Sequence, residues 1–268
     1  MIRLLAIDMD GTCLNDKKEI SAETMGALRA AARAGITVVP TTGRTVTCLP
    51  HQLRDENFFR YVISSNGAAV TDTETGTDLH RALLPNKAAV EFMQGCDRIH
   101  VLISAHINHR FVLQGHVLRF LGRMIYGKDA ASTDYSRNIA YMLSESGEDV
   151  EEIQLFYFSE EKCNKIKELA SGYDFIQPAF SDNYAELYTR EASKGNALLA
   201  LADYLKIPEE EIACIGDEEN DLSMFEKSGL KFAMGNAIPE LKAGADFVVP
   251  DNNSSGVAAA IQNYILGS

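Results

Sequence analysis

No stretch of this sequence approaches the roughly 20 consecutive apolar residues that a membrane-spanning helix needs. There is no CxxC pair, no basic excess, no internal repeat and no low-complexity tract. Each absence removes a class of function. The five cysteines, Cys13, Cys48, Cys96, Cys163 and Cys214, are odd in number and lack metal-ligand spacing. Neither a disulfide framework nor a structural zinc site is therefore expected, and reduced thiols fit a cytoplasmic protein. Cys13 has no flanking His or Asn partner and is read as a packing residue. Only a few apolar residues separate Met1-Ile2-Arg3 from Asp8, too few for a secretory signal. Lysine and arginine number 25 against 38 acids, a net charge of −13. A nucleic-acid binder carries a basic field, and an anionic membrane surface repels an acidic chain, so neither partner is expected. The charge serves solubility. A small anionic substrate stays open, because it needs only local positive charge and a metal.

What the sequence does hold is ample core material and a carboxylate pair. Its 268 residues, 46% of them hydrophobic, suffice for one large domain or two smaller ones. Near the start, Leu4-Leu5-Ala6-Ile7-Asp8-Met9-Asp10-Gly11-Thr12 is an apolar run closed by two aspartates and a glycine. Close like charges raise each other's pKa unless a proton or a cation separates them. A divalent cation is the simple solution, and hard oxygen donors suit magnesium. One carboxylate can then attack an electrophile while the other moves a proton.

The first part of the chain alternates strands and helices. Residues 3–8 form a short continuous apolar run, as a buried parallel strand does. Ser21 is placed to cap a helix, with Glu23 in its first turn, and Gly35 ends that helix as a C′ residue. Residues 36–40 are a second β-rich run ending in Thr41-Thr42-Gly43-Arg44, and residues 61–64 a third, ending in Asn66-Gly67. This is the βαβ pattern of a doubly wound sheet, in which ligands bind outside the carboxyl ends of the strands. The Asp8/Asp10, Thr42 and Asn66 groups are therefore expected to converge. Residues 68–84 read as a hairpin turning near Thr75-Gly76. From 85 to 184 the pattern changes to an α+β unit with a largely antiparallel sheet. Its strand candidates are 99–104, 110–113, 139–143 and 153–158; its helix candidates are 86–96, 116–125 and 160–170. After Tyr184 the alternation returns: a strand at 185–188, a helix from Lys194, strands at 212–215, 230–233 and 247–249, and a closing amphipathic helix. The expected architecture is an α/β core of residues 1–84 and 185–268, interrupted by an inserted α+β domain of residues 85–184.

Four polar stations now stand at strand or helix ends: Asp8-Met9-Asp10-Gly11-Thr12, Thr42-Gly43-Arg44, Ser193-Lys194-Gly195, and Gly216-Asp217 with Asn220-Asp221. In this order, with a long insertion between the second and third, the sequence resembles the haloacid dehalogenase-like (HAD) phosphohydrolases. More narrowly it resembles the Cof-type branch, subclass IIB, whose α/β cap is inserted at that interval. The resemblance covers nearly the whole chain. It departs only at Met9, where leucine is commoner, and at Thr41, where alanine or serine is frequent.

The resemblance implies a Rossmann-like core and a role for each station. Asp8 becomes the nucleophile that forms an aspartyl phosphate. Asp10 becomes the general acid and base, its backbone carbonyl ligating magnesium. Thr42 donates its hydroxyl and backbone N–H to phosphate, with Gly43 in the same loop; a helix N-cap or plain strand residue is the alternative. Arg44 either approaches the substrate or holds the loop. Lys194 is the fixed positive charge that shields Asp8 from the incoming phosphate. A lysine at a helix start opposes the helix dipole, which makes sense where the charge is needed. Asp217 ligates magnesium, while Asn220 and Asp221 complete or orient the shell. Asn66 is either an αL turn residue or a neighbour of the phosphate or leaving group.

The implied activity is magnesium-dependent hydrolysis of a small phosphorylated metabolite, sugar phosphates leading. A phosphomutase of the same fold and a non-catalytic phospho-metabolite sensor are the rivals. Outside the stations, His106 and His109 have HxxH spacing beside a hairpin turn and are expected in a solvated loop. Arg119, Arg123 and Lys128 cluster around a predicted helix, where they face either a phosphorylated sugar or solvent, with solvent expected for most of them.

Overall fold

The computed structural model describes residues 1–54, 56–116, 118 and 133–267. They form two compact units: Met1–Gly43, Gln52–Arg81 and Ser193–Ser268 in one, Arg44–His51 and Ala82–Ala192 in the other.

The first unit begins with β1 (Leu4–Asp8), β2 (Thr37–Thr41), β3 (Tyr61–Ser64), β4 (Ala69–Asp72) and β5 (Thr77–Arg81). The helix α1 (Ala22–Arg33) lies between the first two strands. Ser21 caps it by accepting from the Thr24 N–H at 3.1 Å, and Gly35 follows its end with φ +87°. Gly76, with φ +69°, turns the chain between β4 and β5.

The second unit contributes α2 (Asn86–Ile99), β6 (Leu102–Ile107), β7 (Arg110–Gln114), β8 (Thr133–Ser136), α3 (Ile139–Ser146), β9 (Glu152–Phe156), α4 (Glu160–Ala170), β10 (Ile176–Phe180) and β11 (Tyr184–Thr189). Its six-stranded sheet runs β10-β11-β9-β6-β7-β8 and is antiparallel except where β8 joins β7. Phe92, Met93, Leu143, Ile153 and Leu155 lie in its own buried core.

The chain then returns to the first unit with α5 (Lys194–Leu205), β12 (Ile212–Gly216), α6 (Leu222–Phe225), β13 (Leu230–Ala233), α7 (Pro239–Gly244), β14 (Phe247–Val248) and α8 (Gly256–Ala260). Its eight-stranded sheet has the order β14-β13-β12-β1-β2-β3-β4-β5. The strands from β14 to β3 are parallel, and β4 and β5 are antiparallel additions. This is the α/β, doubly wound architecture expected from the alternation. β1 is central, so both its faces are covered. Leu4, Leu5, Ala6 and Ile7 are 0–1% exposed, which is why the run is continuous rather than alternating. Full burial of each leucine or isoleucine stabilises by about 1.5–3 kcal/mol.

Three local expectations are corrected. Residues 139–143 are helical, not a strand: Asn138 caps α3 by accepting from the Tyr141 N–H, and Gly147 closes it at φ +72°. A short apolar run does not itself discriminate helix from strand. The strand expected at 185–188 exists as β11, but it pairs with β9 and β10 in the second sheet. Residues 185–192 thus group with the insert rather than the core. His106 lies in β6, 2% exposed, with its ring edge-on to Phe111 at 5.2 Å. Burial pushes its pKa down to about 3. The two residues that do form the turn are Asn108 and His109, both with φ > 0, as a two-residue hairpin requires. Most of the predicted 116–125 helix, with Arg119, Arg123 and Lys128, lies outside the described residues. No helix among the described residues is long and apolar enough to cross a membrane.

Candidate active site

The sheet order assembles the stations. β12, β1, β2 and β3 are consecutive neighbours and parallel. Their carboxyl ends are therefore adjacent, at the usual strand spacing of about 4.8 Å. Asp217 follows β12, Asp8 ends β1, Thr42 follows β2, and Asn66 lies just beyond β3. The chain leaves β1 toward β2 on one side and returns as β12 on the other. β1 is thus the topological switch point, where open α/β sheets place ligands.

Lys194 enters this row from the first residue of α5, whose N-cap Ser193 accepts from the Asn196 N–H at 3.0 Å. The Ser193 carbonyl passes so close to Gly67 that a Cβ there would lie 2.1 Å from it. The Lys194 ammonium, 1% exposed, donates to Asp8 Oδ1 and to Asp221 Oδ1, both at 2.6 Å. Burial pushes the lysine's pKa down, but the Asp221 and Asp8 carboxylates overcome it and leave the pKa raised. Those two ion pairs also offset the unfavourable helix dipole at this position.

Asp8, Asp217 and Asp221 are buried, and one oxygen from each lies within 4.8 Å of the others. Burial raises the Asp8 pKa well above the usual carboxylate value; Lys194 opposes the shift, and Asp221 and Asp217 add to it. Burial likewise lifts Asp217 to about 6, against a hydrogen bond from Thr12 and with repulsion from Asp221 and Glu218. Hard carboxylate donors this close together, with Asp8 and Asp217 holding protons more strongly, suit a divalent cation.

Asp221 has a second duty. Its Oδ2 accepts from the N–H groups of Asp217 and Glu218 at 2.8 and 3.1 Å, in a capping box shared with Glu218. With Oδ1 on Lys194, both its oxygens are engaged by protein donors, so it orients the loop that carries Asp217. Asn220 donates to Asn66 Oδ1 at 3.0 Å. Asn66 adopts the left-handed region, φ 54° and ψ 28°. It also lies against Gly43, where a Cβ would stand 3.1 Å from Asn66 Oδ1. One asparagine thus joins the loops after β2 and β12.

Thr42 is 1% exposed. Its backbone N–H donates to the Ile63 carbonyl at 2.9 Å, so the expectation that this N–H faces phosphate is corrected. Asp10 is partly exposed and pairs with Lys18 at 3.0 Å. Arg44 belongs to the second unit, where Nη1 donates to the Cys48 carbonyl at 3.4 Å, a loop-holding contact. Cys13 is buried, and burial with the Asp8 charge pushes its thiol up to about 12. A thiol so held is protonated and inert.

Two residues that the motifs did not single out also touch Asp217. Thr12 donates to Oδ1 at 2.7 Å, and Asn236 donates to Oδ2 at 3.2 Å. Thr12 lies in the first station, next to Gly11. Asn236 follows β13 in a Gly-Asn turn, without a motif of its own.

Known proteins resemble this chain along nearly its whole length. The sequence pattern of haloacid dehalogenase-like hydrolases matches residues 5–261. The phosphatase YwpJ of Bacillus subtilis (strain 168) is 34% identical, over 98% of this chain and 100% of its own. The 5-amino-6-(5-phospho-D-ribitylamino)uracil phosphatase YwtE of the same organism is 31% identical, over 99% of each chain. A solved haloacid dehalogenase-like hydrolase from B. subtilis superposes with a TM-score of 0.84 at 29% identity, covering 98% of this chain and 100% of that one.

Proposed function

The chain belongs to the haloacid dehalogenase-like hydrolases, in their Cof-type branch, and is a phosphatase; from that premise we propose that it hydrolyses small phosphate monoesters, sugar or polyol phosphates foremost, with magnesium and through an aspartyl phosphate on Asp8. The observation that carries this reading is the Lys194 ammonium, buried and 2.6 Å from both Asp8 and Asp221, in the cluster that includes Asp217. A cytoplasmic location fits five free thiols. The polyol preference draws support from YwtE, which acts on a phosphorylated ribityl compound.

Asp8 and Asp217, with the backbone carbonyl of Asp10, would hold the cation, and Asn220 and Asp221 orient that shell. When bound, magnesium supplies positive charge against the phosphoryl oxygens and the two carboxylates. Every other step belongs to side chains. Asp8 must be ionised to attack phosphorus. Lys194 lowers the cost of that charge in a buried site and faces the oxygens of the incoming group. The Thr42 hydroxyl donates to a phosphoryl oxygen, with Gly43 and Asn66 shaping the same cradle. Asp10, at the exposed side, protonates the leaving alcohol oxygen. It then takes a proton from the water that cleaves the acyl phosphate. Arg44 steadies its own loop.

The test is a panel of phosphate esters, assayed with and without a chelator, using Asp8→Asn and Asp10→Ala as controls. Both substitutions should abolish magnesium-dependent hydrolysis while the protein stays folded. Full activity in either folded variant, or activity indifferent to chelation, refutes the roles assigned.

A further inference from the structure

Asn236 ties together four loops at the carboxyl edge of the sheet. Its Nδ2 donates to the Gly11 carbonyl at 2.8 Å and to Asp217 Oδ2 at 3.2 Å. Its Oδ1 accepts from the Asn252 N–H at 3.1 Å. The amide can face only this way: two acceptors require its NH2, and one donor requires its oxygen. The Asn252 side chain in turn reaches the Leu14 carbonyl at 3.0 Å and Asp16 Oδ1 at 3.3 Å. The same turn holds the main chain of the Asp217 loop: the Ile238 N–H donates to the Asp217 carbonyl at 2.9 Å, and the Met234 N–H to that of Gly216 at 3.1 Å.

We propose that Asn236 is a positioning residue for the divalent cation, fixing the Asp217 carboxylate so that it can serve as a ligand. The inference rests on the reading of Asp217 given above. Thr12 holds one oxygen of that carboxylate and Asn236 the other, so its rotation about the Cβ–Cγ bond is arrested from both sides. Both donors are neutral. A lysine in place of Asn236 would hold the carboxylate equally well, but its charge would compete with the cation. An amide orients without neutralising. Gly11 makes this approach possible, because a Cβ there would lie 2.2 Å from Asp217 Oδ2. Asn236 therefore sets the distance between the loop that carries Asp10 and the loop that carries Asp217, the two that the proposal makes share the metal.

Magnesium binding by calorimetry, with no substrate present, tests the role directly. Asn236→Ala should weaken the Kd about 10- to 100-fold, the usual cost of losing a partner that orients a ligand. At saturating magnesium its kcat on p-nitrophenyl phosphate should return to within a few-fold of wild type. Asn252→Ala loses two hydrogen bonds to the loop after β1, at Leu14 and Asp16, but keeps the N–H that faces Asn236. It should lower Tm and leave the magnesium Kd unchanged, which separates positioning from general stability. Asn236→Ser, too short for either bond, gives the same reading if the alanine variant does not fold. A magnesium Kd within twofold of wild type in folded Asn236→Ala or Asn236→Ser, alongside lost binding in Asp217→Asn, overturns the inference alone. Wild-type binding in Asp217→Asn overturns the metal assignment on which it stands.

Discussion

Replacing Lys194 with methionine isolates the electrostatic core of this site. Methionine has nearly the length and volume of lysine, so packing changes little while the charge disappears. Lys194 is 1% exposed and Asp221 is fully buried, and the ammonium lies 2.6 Å from both Asp221 and Asp8. Removing one member of a buried ion pair costs about 3–5 kcal/mol, because the other charge is left without compensation. Each kcal/mol shifts Tm by roughly 2–4 °C in a domain of this size, so the drop should be on the order of 10 °C. The assay is scanning calorimetry in a chelator near neutral pH. The pH dependence has a definite sign. The Asp8 pKa is already raised by burial, and Lys194 opposes that shift; without the lysine it rises further. A carboxyl whose folded pKa lies above its unfolded value destabilises the fold above that folded pKa and ceases to do so below the unfolded one. The gap between variant and wild type should therefore widen as pH rises and close as pH falls. Combining Lys194→Met with Asp221→Asn, which removes a second charge, should restore part of the loss. A variant as stable as wild type in chelator at neutral pH would refute the view that Lys194 compensates the buried carboxylates.

Two further perturbations probe other parts of the fold. At Gly195 a Cβ would meet the Ser223 carbonyl oxygen at 2.0 Å. That neighbour is main chain and cannot rotate away, so Gly195→Ala should cost about 3 kcal/mol, the upper end for overpacking. A denaturant titration showing less than about 1 kcal/mol of loss rejects the fixed contact between α5 and α6 at Ser223. In the second unit, the pKa of buried His106 is lowered from 6.5 to about 3, with Glu152 3.9 Å from its Nδ1. Between those values the unfolded chain holds a proton that the folded chain does not, so stability falls as pH drops through that window. His106→Asn should remove close to one proton's worth of slope, about 1.4 kcal/mol per pH unit. Equal slopes for the two proteins in titrations across that range would contradict it.

What the sequence disclosed follows from how local each signal is. β1 was legible because a strand buried on both faces writes itself as an unbroken apolar run. The N-cap at Ser21 and the glycine at Gly35 mark α1 within a few residues of chain. Asp8, Lys194 and Asp217 each sit at a strand or helix end marked by a neighbouring glycine. Two strands left no such mark. β8 and β10 are the edges of their sheet; the first reads Thr-Asp-Tyr-Ser, and the second carries Pro178, which an edge strand tolerates. β11 was visible as a strand but not as a member of the second sheet, since pairing partners far along the chain leave no trace in its own residues. His106 was placed by its nearness to a turn, although it lies two positions before the turn residues, on a buried position of β6. Asn236 was invisible for the opposite reason: an asparagine after glycine in a turn is ordinary, and only the fold brings it to Asp217.

The charge of the site connects the proposed metal requirement to stability. Three buried carboxylates face one buried ammonium, which leaves an excess of two negative charges where the proposal requires a phosphate to bind. The chain as a whole carries −13, so its net charge adds to that excess rather than offsetting it. Without a cation, Asp8 and Asp217 hold protons more tightly. Protonation relieves the repulsion but would disable Asp8 in its proposed role, because only an ionised carboxylate is a nucleophile. A dication relieves the same repulsion and leaves Asp8 ionised. Lys194 alone cannot do both, since its charge is already shared between Asp8 and Asp221. Protons and the proposed cation would therefore compete for one cluster, with opposite consequences for the proposed nucleophile. It follows that the apparent magnesium affinity should fall as the medium is acidified through about pH 6, the pKa to which Asp217 is raised. Magnesium titrations at pH values either side of that point measure it, and an affinity independent of pH would mean that Asp217 is not among the groups the cation must deprotonate.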